Sequence, residues 1–362
     1  MGEGITDFQA ARLTVRLGAI VANYRTYRRM TGPTAVAAVV KADAYGLGAA
    51  KVAPALAQAG CDSFFVARLE EGVALRAHVP KARIFVLDGA MPSSVPALIR
   101  FSLTPVLNSL AQVAAWSAAA GTGASALDAV LHVDTGMNRL GLPQEELAIL
   151  AAERAKRLAG LNLVLVMSHL ACGDEPDNKM NVRQLSRFRQ ALAMLPPVPA
   201  SLAASHGAML SPDYHFDLVR PGVALYGADP QKPEGHADGA KPNLMQTAAL
   251  LTARVLQLRR IDLRESVGYA ATFHAKRPSM IATIALGYAD GMPRALSNKG
   301  VAAIRGARVP VVGRVSMDLM TLDVTDLDEP PHVGETVEIM GDTIALSEVA
   351  MRAGTNEYEI LT

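Results

Sequence analysis

Lys41 closes the apolar run Val36-Ala-Ala-Val-Val and opens the stretch Lys41-Ala-Asp-Ala-Tyr45-Gly-Leu-Gly48. A short run of small and β-branched residues with turn glycines behind it reads as a buried parallel strand. In α/β folds the chemistry gathers at the carboxyl end of such strands. A lysine there is costly unless its charge is paired or given up, and a lysine that gives up its charge is a nucleophile. Taken alone, Lys41 would be a snorkelling side chain at a strand end. Tyr45 and two glycines just beyond it argue for chemistry instead.

Other polar groups gather in the same way behind apolar runs. They are His132-Val-Asp134-Thr-Gly-Met-Asn-Arg139-Leu-Gly, Ser168-His169-Leu-Ala, Ser205-His206-Gly and Arg220-Pro-Gly222-Val-Ala-Leu-Tyr226-Gly. Tyr45, Ser205 and Gly222 together could hold a phosphate through hydroxyls and backbone amides, near the last strands where barrels usually bind one. A lysine beside a phosphate cradle suggests pyridoxal phosphate, with Lys41 forming the Schiff base. Singly, Ser205 would be a satisfied hydroxyl, Gly222 a turn glycine and His169 a hydrogen-bonded structural histidine. No metal-ligand pattern stands out, and the two cysteines, Cys61 and Cys172, read as thiols in a reducing compartment.

These residues need a scaffold that brings strand ends together. The spacing predicts strands at Ala35–Val40, Ser63–Val66, Arg83–Leu87, Leu103–Val106, Ala129–Val133, Val164–Met167, Ala200–Ala203 and Asp217–Arg220. Helical stretches such as Leu69–Ala77 and Gln184–Met194 lie between them, which fits a TIM-type (β/α)8 barrel over residues 12–235. Asp229–Asn243 reads as a linker rich in proline, glycine and charge. Beyond it, strands at Ala248–Leu258, Met280–Leu286, Arg308–Gly313, Met320–Val324 and Glu335–Met340 follow one another without intervening helices, and a helix is expected near Leu346–Arg352. The α/β barrel is therefore expected to be followed by a mainly β domain, 243–362, with residues 1–17 able to add a strand to it.

The 362 residues are half hydrophobic, 19% charged and carry a net charge of +1, which gives no reason to invoke nucleic acid or an acidic membrane surface. The first residues lack a signal-peptide pattern, and no apolar run is long enough to suggest a membrane span. The expectation is a cytoplasmic protein with a small-molecule partner.

Lys41-Ala-Asp-Ala-Tyr-Gly, Val133-Asp-Thr-Gly-Met-Asn-Arg-Leu-Gly, Arg220-Pro-Gly, Gly287-Tyr-Ala-Asp-Gly291 and Gly313-Arg-Val-Ser-Met317-Asp318, in this order, resemble alanine racemase. The resemblance implies a pyridoxal-phosphate barrel followed by a β domain, and a reaction that interconverts L- and D-alanine to supply D-alanine for peptidoglycan. It implies that Lys41 binds the cofactor and acts as base on one face of the substrate α-carbon, with Tyr269 as base on the other. Inversion needs two bases, because a proton leaves one face and returns to the other. A free tyrosine titrates near ~10, and His169 and Arg220 are the relay implied to assist it. Tyr45, Ser205, Gly222 and Val223 are implied to bind the cofactor, and Arg220 to face its ring nitrogen. Arginine cannot accept a proton there, so the ring stays neutral and transamination is suppressed. Arg139, Met317 and Asp318 are implied substrate contacts and Tyr288 a pocket wall. Tyr269, Tyr288, Met317 and Asp318 are implied to come from a second subunit of a homodimer.

The chain departs from the family pattern in four places. His132 stands where many members have a carbamylated lysine orienting the arginine; a hydrogen bond, an anion such as chloride or another carboxylate is expected to replace it. Ala204 precedes Ser205 where asparagine is common, and Ala270 follows Tyr269 where glycine is common. The chain ends at Thr362, before members of the family usually do. The competing readings are a racemase of serine, lysine or many amino acids, and a catalytically impaired pyridoxal-phosphate-binding protein. Retention of Tyr269 argues against the impaired protein, and Arg220 against a decarboxylase.

Overall fold

The computed structural model describes residues 9–121, 125–232 and 243–362. The first residues of the chain and most of the linker expected at Asp229–Asn243 lie outside the described residues. The described residues form two compact units: Leu17–Tyr226 with Leu244–Gln246, and a second made of residues 9–16, 227–232, 243 and Thr247–Thr362.

Strand β1, Ala11–Val15, belongs to the second unit. In the first unit the strands are β2 (Ala35–Val36), β3 (Ala38–Val39), β4 (Ser63–Val66), β5 (Arg83–Val86), β6 (Thr104–Leu107), β7 (Leu127–His132), β8 (Leu161–Met167), β9 (Ala200–Ser201) and β10 (Leu218–Val219). β3 to β9 form one parallel ladder in chain order, and β10 pairs in parallel with β2. β2 and β3 are one strand interrupted at Ala37, whose N–H turns to Val219 O (2.9 Å). The gap between β9 and β10 is bridged by Asp217 N–H to Ala200 O and Arg220 N–H to Ala203 O, both 3.0 Å. The circuit therefore closes as a barrel of eight parallel strands, with β2 and β3 together making the first. The strands are β-branched or aromatic and buried almost throughout: Phe64, Phe65, Ile84, Phe85, Val130 and Val166 are all at most 2% exposed. Each such side chain contributes about 1.5–3 kcal/mol by leaving water. Phe65 and Phe85 stack on adjacent strands, ring centres 4.6 Å apart.

The expected helices are present and somewhat different in extent. Leu69–Arg76 starts where Glu71 accepts from Arg68 N–H (3.1 Å), and Lys179–Met194 begins five residues before the expected start because Asn178 caps it by accepting from Met180 N. No helix is long and apolar enough to cross a membrane among the described residues.

In the second unit the strands are β11 (Ala249–Ile261), β12 (Ser266–Val267), β13 (Phe273–His274), β14 (Ser279–Ile284), β15 (Val301–Ile304), β16 (Ala307–Pro310), β17 (Met320–Asp323) and β18 (Thr336–Met340). The main sheet runs β16-β15-β18-β11-β14-β17, and β1 pairs antiparallel with β11, Ala11 opposite Ala253 and Val15 opposite Ala249. β11 is long enough to serve three partners because it bends, with register shifts against both β14 and β18. Sequence spacing did not anticipate the short strands β12, β13 and β15. β12 and β13 form a separate hairpin whose Val267 and Phe273 pack on Ile261, Ile281 and Val312.

Candidate active site

The backbone behind Lys41 is the least ordinary feature of the barrel. Val40 still pairs, its N–H donating to Phe65 O at 2.9 Å. Then Ala42, Asp43, Ala44 and Tyr45 take φ of 51°, 53°, 55° and 55° in succession, a turn of left-handed helix built without glycine. Each such residue costs about 1–2 kcal/mol, so the surroundings must hold the turn. Ala44 N–H donates to Val40 O, Gly46 N–H to Ala42 O and Gly48 N–H to Asp43 O, at 2.8–2.9 Å. Asp43 accepts from Ala49 N–H and Glu71 from Ala42 N–H, both at 2.7 Å. Lys41 is partly buried, and its amine is pushed below the usual lysine range by burial first and by the charge of Arg139 second; Glu71 and Asp88 oppose this.

The turn delivers Tyr45 to the other end of the barrel sequence. A Cβ on Gly222 would lie 2.3 Å from the Tyr45 hydroxyl and 3.3 Å from Val39 Cβ, so only glycine fits this approach. The Tyr45 ring packs on Tyr226, centres 4.8 Å apart, and the Tyr226 hydroxyl donates to Val39 O. Ser205, 2% exposed, accepts from the N–H of Gly222 (2.9 Å) and of Ala224 (3.4 Å), while its carbonyl accepts from Tyr27. Val223 opens the short helix Val223–Tyr226. Tyr45, Ser205, Gly222 and Val223 are thus brought together.

Arg220 is 3% exposed and is held by uncharged acceptors. Its Nη1 donates to Ser201 Oγ, and its Nη2 to Ser168 O (2.7 Å), Leu202 O (3.3 Å) and His169 Nδ1 (3.5 Å). Ser201 in turn donates to Leu218 O, which fixes its lone pair toward the arginine. Burial pushes the guanidinium down to about 9. His169 is held well below the usual histidine range by burial, and next by the charges of Arg220, Arg139, His132 and Lys41, which places these five groups in one electrostatic neighbourhood. Gln184, fully buried, pins the segment by donating to His169 O and Thr135 Oγ1 and accepting from Ala171 N–H.

His132 is bonded through Nδ1 to Asn108 Oδ1 at 2.8 Å. Asn108 donates its amide to Leu87 O and Val106 O, so its oxygen is the acceptor and His132 carries the proton on Nδ1. Burial, then Arg220, pushes His132 down to about 4, so the ring is neutral. Arg139 sits on a loop closed by Asp134 N–H to Leu142 O and Leu142 N–H to His132 O. Asp134 accepts from the N–H of Gly136, Met137 and Asn138 inside that loop.

The remaining expected site residues lie on the second unit, on loops that meet the segment Gly313–Asp318. Tyr288 N–H donates to Ser316 O and Ala289 N–H to Met317 O, and a Cβ on Gly287 would fall 2.2 Å from Met317 O. Gly268, just before Tyr269, approaches Arg314 N. Tyr269, Tyr288 and Met317 are 71%, 43% and 54% exposed, and Asp318 is exposed with them. Ala270 takes φ 58°, the left-handed conformation for which glycine would be easier.

The first unit's donors suit pyridoxal phosphate. Lys41 offers an amine with a weakened charge, Tyr45, Ser205 and the Val223 amide suit a phosphate, with the Gly222 N–H holding Ser205 in place, and Arg220 offers a cation that holds its proton. Among the described residues no cluster of three or more His, Cys, Asp or Glu is placed to hold a metal. Glu71, Asn108, Gln184 and Ser201 were not singled out from the sequence. Nothing in their local sequence sets them apart, and only the fold shows what each holds.

Two expectations follow. Gly222→Ala forces its methyl into the Tyr45 hydroxyl, and cofactor retention on dialysis should weaken at least ~10-fold, about 1.4 kcal/mol; unchanged retention would refute the close-approach argument. His132 binds its proton in the unfolded chain near 6.5 but in the folded chain only near 4. Its contribution is therefore full above pH 6.5 and is lost as pH falls to about 4, by at most about 3 kcal/mol. Chemical denaturation across that window should show a smaller acid loss for His132→Gln than for the native chain.

The family model for the alanine racemase N-terminal domain matches residues 15–230, and that for the alanine racemase C-terminal domain residues 248–362. The chain is 48% identical over 358 residues to an alanine racemase of Brucella abortus (strain 2308), covering 97% of this chain and 90% of that protein. It is 46% identical over 355 residues to a protein of Agrobacterium fabrum named alanine racemase, catabolic, covering 98% and 89%. The crystal structure of alanine racemase from Bartonella henselae with covalently bound pyridoxal phosphate superposes with a TM-score of 0.92 at 41% identity, covering 98% of this chain and 96% of that one. With both domains matched in order over nearly its whole length, the chain belongs to the alanine racemase family.

Proposed function

We propose that this chain racemises alanine with Lys41 and Tyr269 as its two bases. Family membership makes the reaction the pyridoxal-phosphate-dependent interconversion of L- and D-alanine. The observation that carries the residue roles is the joining of Lys41, the Tyr45–Ser205–Gly222 cradle and buried Arg220 behind the first strand and the last two strands of the barrel.

When bound, pyridoxal phosphate supplies an electron-withdrawing conjugated ring that makes the substrate's Cα–H acidic. Lys41, with its ammonium form disfavoured by burial and by Arg139, is suited to take and return the proton at Cα on one face. Tyr269 serves the opposite face, with His169 and Arg220 as the proposed relay. Arg220, even pushed down to about 9, keeps its proton at neutral pH and can donate to a ring nitrogen without receiving a proton from it. Arg139 suits the substrate carboxylate, with Met317 and Asp318 beside it, and Tyr288 limits the side-chain space. The exposure of Tyr269, Tyr288 and Met317 on their own unit supports their use in the site of a second copy, within a homodimer. A role in making D-alanine for peptidoglycan, in the cytoplasm, is in keeping with two cysteines that form no disulfide.

The purified protein incubated with L-alanine, L-serine or L-lysine in deuterated water should yield α-deuterated D-alanine fastest. Lys41→Ala should yield none, and Tyr269→Phe should lose racemisation by about 10²–10⁴-fold. Deuteration without inversion would sink the two-base assignment, and faster turnover of serine or lysine would make one of those the substrate. Mixing Lys41→Ala with Tyr269→Phe protein under subunit exchange should restore activity toward about a quarter of native, since half the dimers then hold one intact site. No recovery would count against a shared site.

A further inference from the structure

Glu71 stands in the first turn of the helix Leu69–Arg76, three residues after the capping position Arg68. One carboxylate oxygen accepts from Ala67 N–H (2.7 Å) and Arg68 N–H (3.1 Å), which is an ordinary capping arrangement. The other accepts from Ala42 N–H at 2.7 Å, across to the segment that follows the preceding barrel strand. That amide belongs to the peptide linking Lys41 to Ala42. It is also the first amide of the left-handed turn, whose internal bonds begin only at Ala44 N–H.

We propose that Glu71 is a positioning residue for the racemase reaction, clamping the left-handed turn so that Lys41 and Tyr45 are both held in place. The inference rests on the reading of Lys41 as cofactor lysine and base. Ala42, Asp43 and Ala44 each have a side chain that disfavours the conformation they occupy, so the turn cannot be relied on to hold itself. Its internal bonds and the Asp43–Ala49 contact tie it to its own helix. Glu71 ties it to the neighbouring strand end, where the capping bonds fix the carboxylate in turn. A displacement of about 1 Å at a reacting group can cost ~10²-fold in rate, and the clamp acts one peptide bond from the Lys41 Cα.

Glutamine has one acceptor oxygen, so it cannot serve Ala42 and Ala67 together, and its amide turns donors toward N–H groups. Glu71→Gln should lower kcat for alanine by about 10–100-fold with KM changed much less. In the holoenzyme, amide hydrogen exchange across residues 42–48 should accelerate. Glu71→Asp keeps an acid suited to the helix start but is one methylene too short to reach Ala42. It should hold the native melting temperature and still lose kcat and exchange protection, so the test survives if the glutamine variant folds poorly. The exposed neighbour changed in Glu70→Gln, which loses charge without touching the turn, should behave as native. Native kcat and exchange in Glu71→Asp, or a lowered melting temperature with unchanged kcat in Glu71→Gln, would overturn the proposal. Lys41→Ala, tested in parallel, separates the two claims: if it still racemises alanine, the lysine assignment fails and the proposal falls with it. If it is inactive while both Glu71 variants keep native kcat and exchange, only the clamp fails.

Discussion

A buried guanidinium with no carboxylate to neutralise it governs the barrel's chemistry. Arg220 is met by a serine hydroxyl, two carbonyls and a histidine nitrogen, and among the described residues it makes no ion pair. Two like charges 4 Å apart repel by about 4 kcal/mol at an effective dielectric of ~20, so neighbouring bases keep their protons only at a cost. Burial first and Arg220 second keep His169 and His132 neutral, while burial and then Arg139 leave Lys41 less inclined to hold its charge. The result is a region with two arginines, a weakened lysine and neutral histidines. Such a region favours anions. The phosphate proposed for Tyr45–Ser205–Gly222 and the substrate carboxylate proposed for Arg139 would each bring negative charge to it.

Barrel closure is what brings these groups into one field. Lys41 follows the first strand and Arg220 the last, 179 positions apart, yet β10 pairs with β2 and places their carboxyl ends side by side. The interruption at Ala37 belongs to the same geometry. Upstream of it the strand pairs with β10, and downstream with β4, so one short segment serves both seams of the barrel. Ser205 and Gly222 meet at the β9–β10 junction, through the Ala204–Arg220 bridge and the Gly222 N–H bond to Ser205. Ala204, whose side chain offers no hydrogen bond, still contributes through its backbone.

Lys41 and Arg220 were legible as strand-end residues because each ends an apolar run, which itself announces a strand, and Tyr45 because it stands just beyond Lys41 with glycines behind it. Most strand positions followed for the same reason. The left-handed turn was not legible, since nothing in the propensities of Ala, Asp, Ala and Tyr favours φ near 55°. It exists because Glu71, Asp43 and the Tyr45–Gly222 approach outweigh local preference. Glu71 itself reads as one more acid at a helix start. Gln184 reads as a polar residue in an amphipathic helix, and its three hydrogen bonds join segments far apart in sequence. The hairpin β12–β13 escaped notice because two-residue strands leave no periodicity to detect.

His132 shows how far a neutral group can stand in for a charged one. A histidine whose Nδ1 proton is committed to Asn108 cannot supply negative charge to Arg139, and protonating it would add a third cation beside two arginines. The loop that carries Arg139 is held through its backbone. Asp134 gathers three consecutive amides of the loop, and the paired bonds between residues 132–134 and Leu142 close its base. Gly141 completes the closure, because a Cβ there would lie 2.7 Å from Asp134 N. These bonds fix the backbone on both sides of Arg139, whose own side chain is exposed. The carboxylate of Asp134 also tempers the field of the two arginines at His132, opposing in charge what burial, Arg220 and Arg139 impose on the ring.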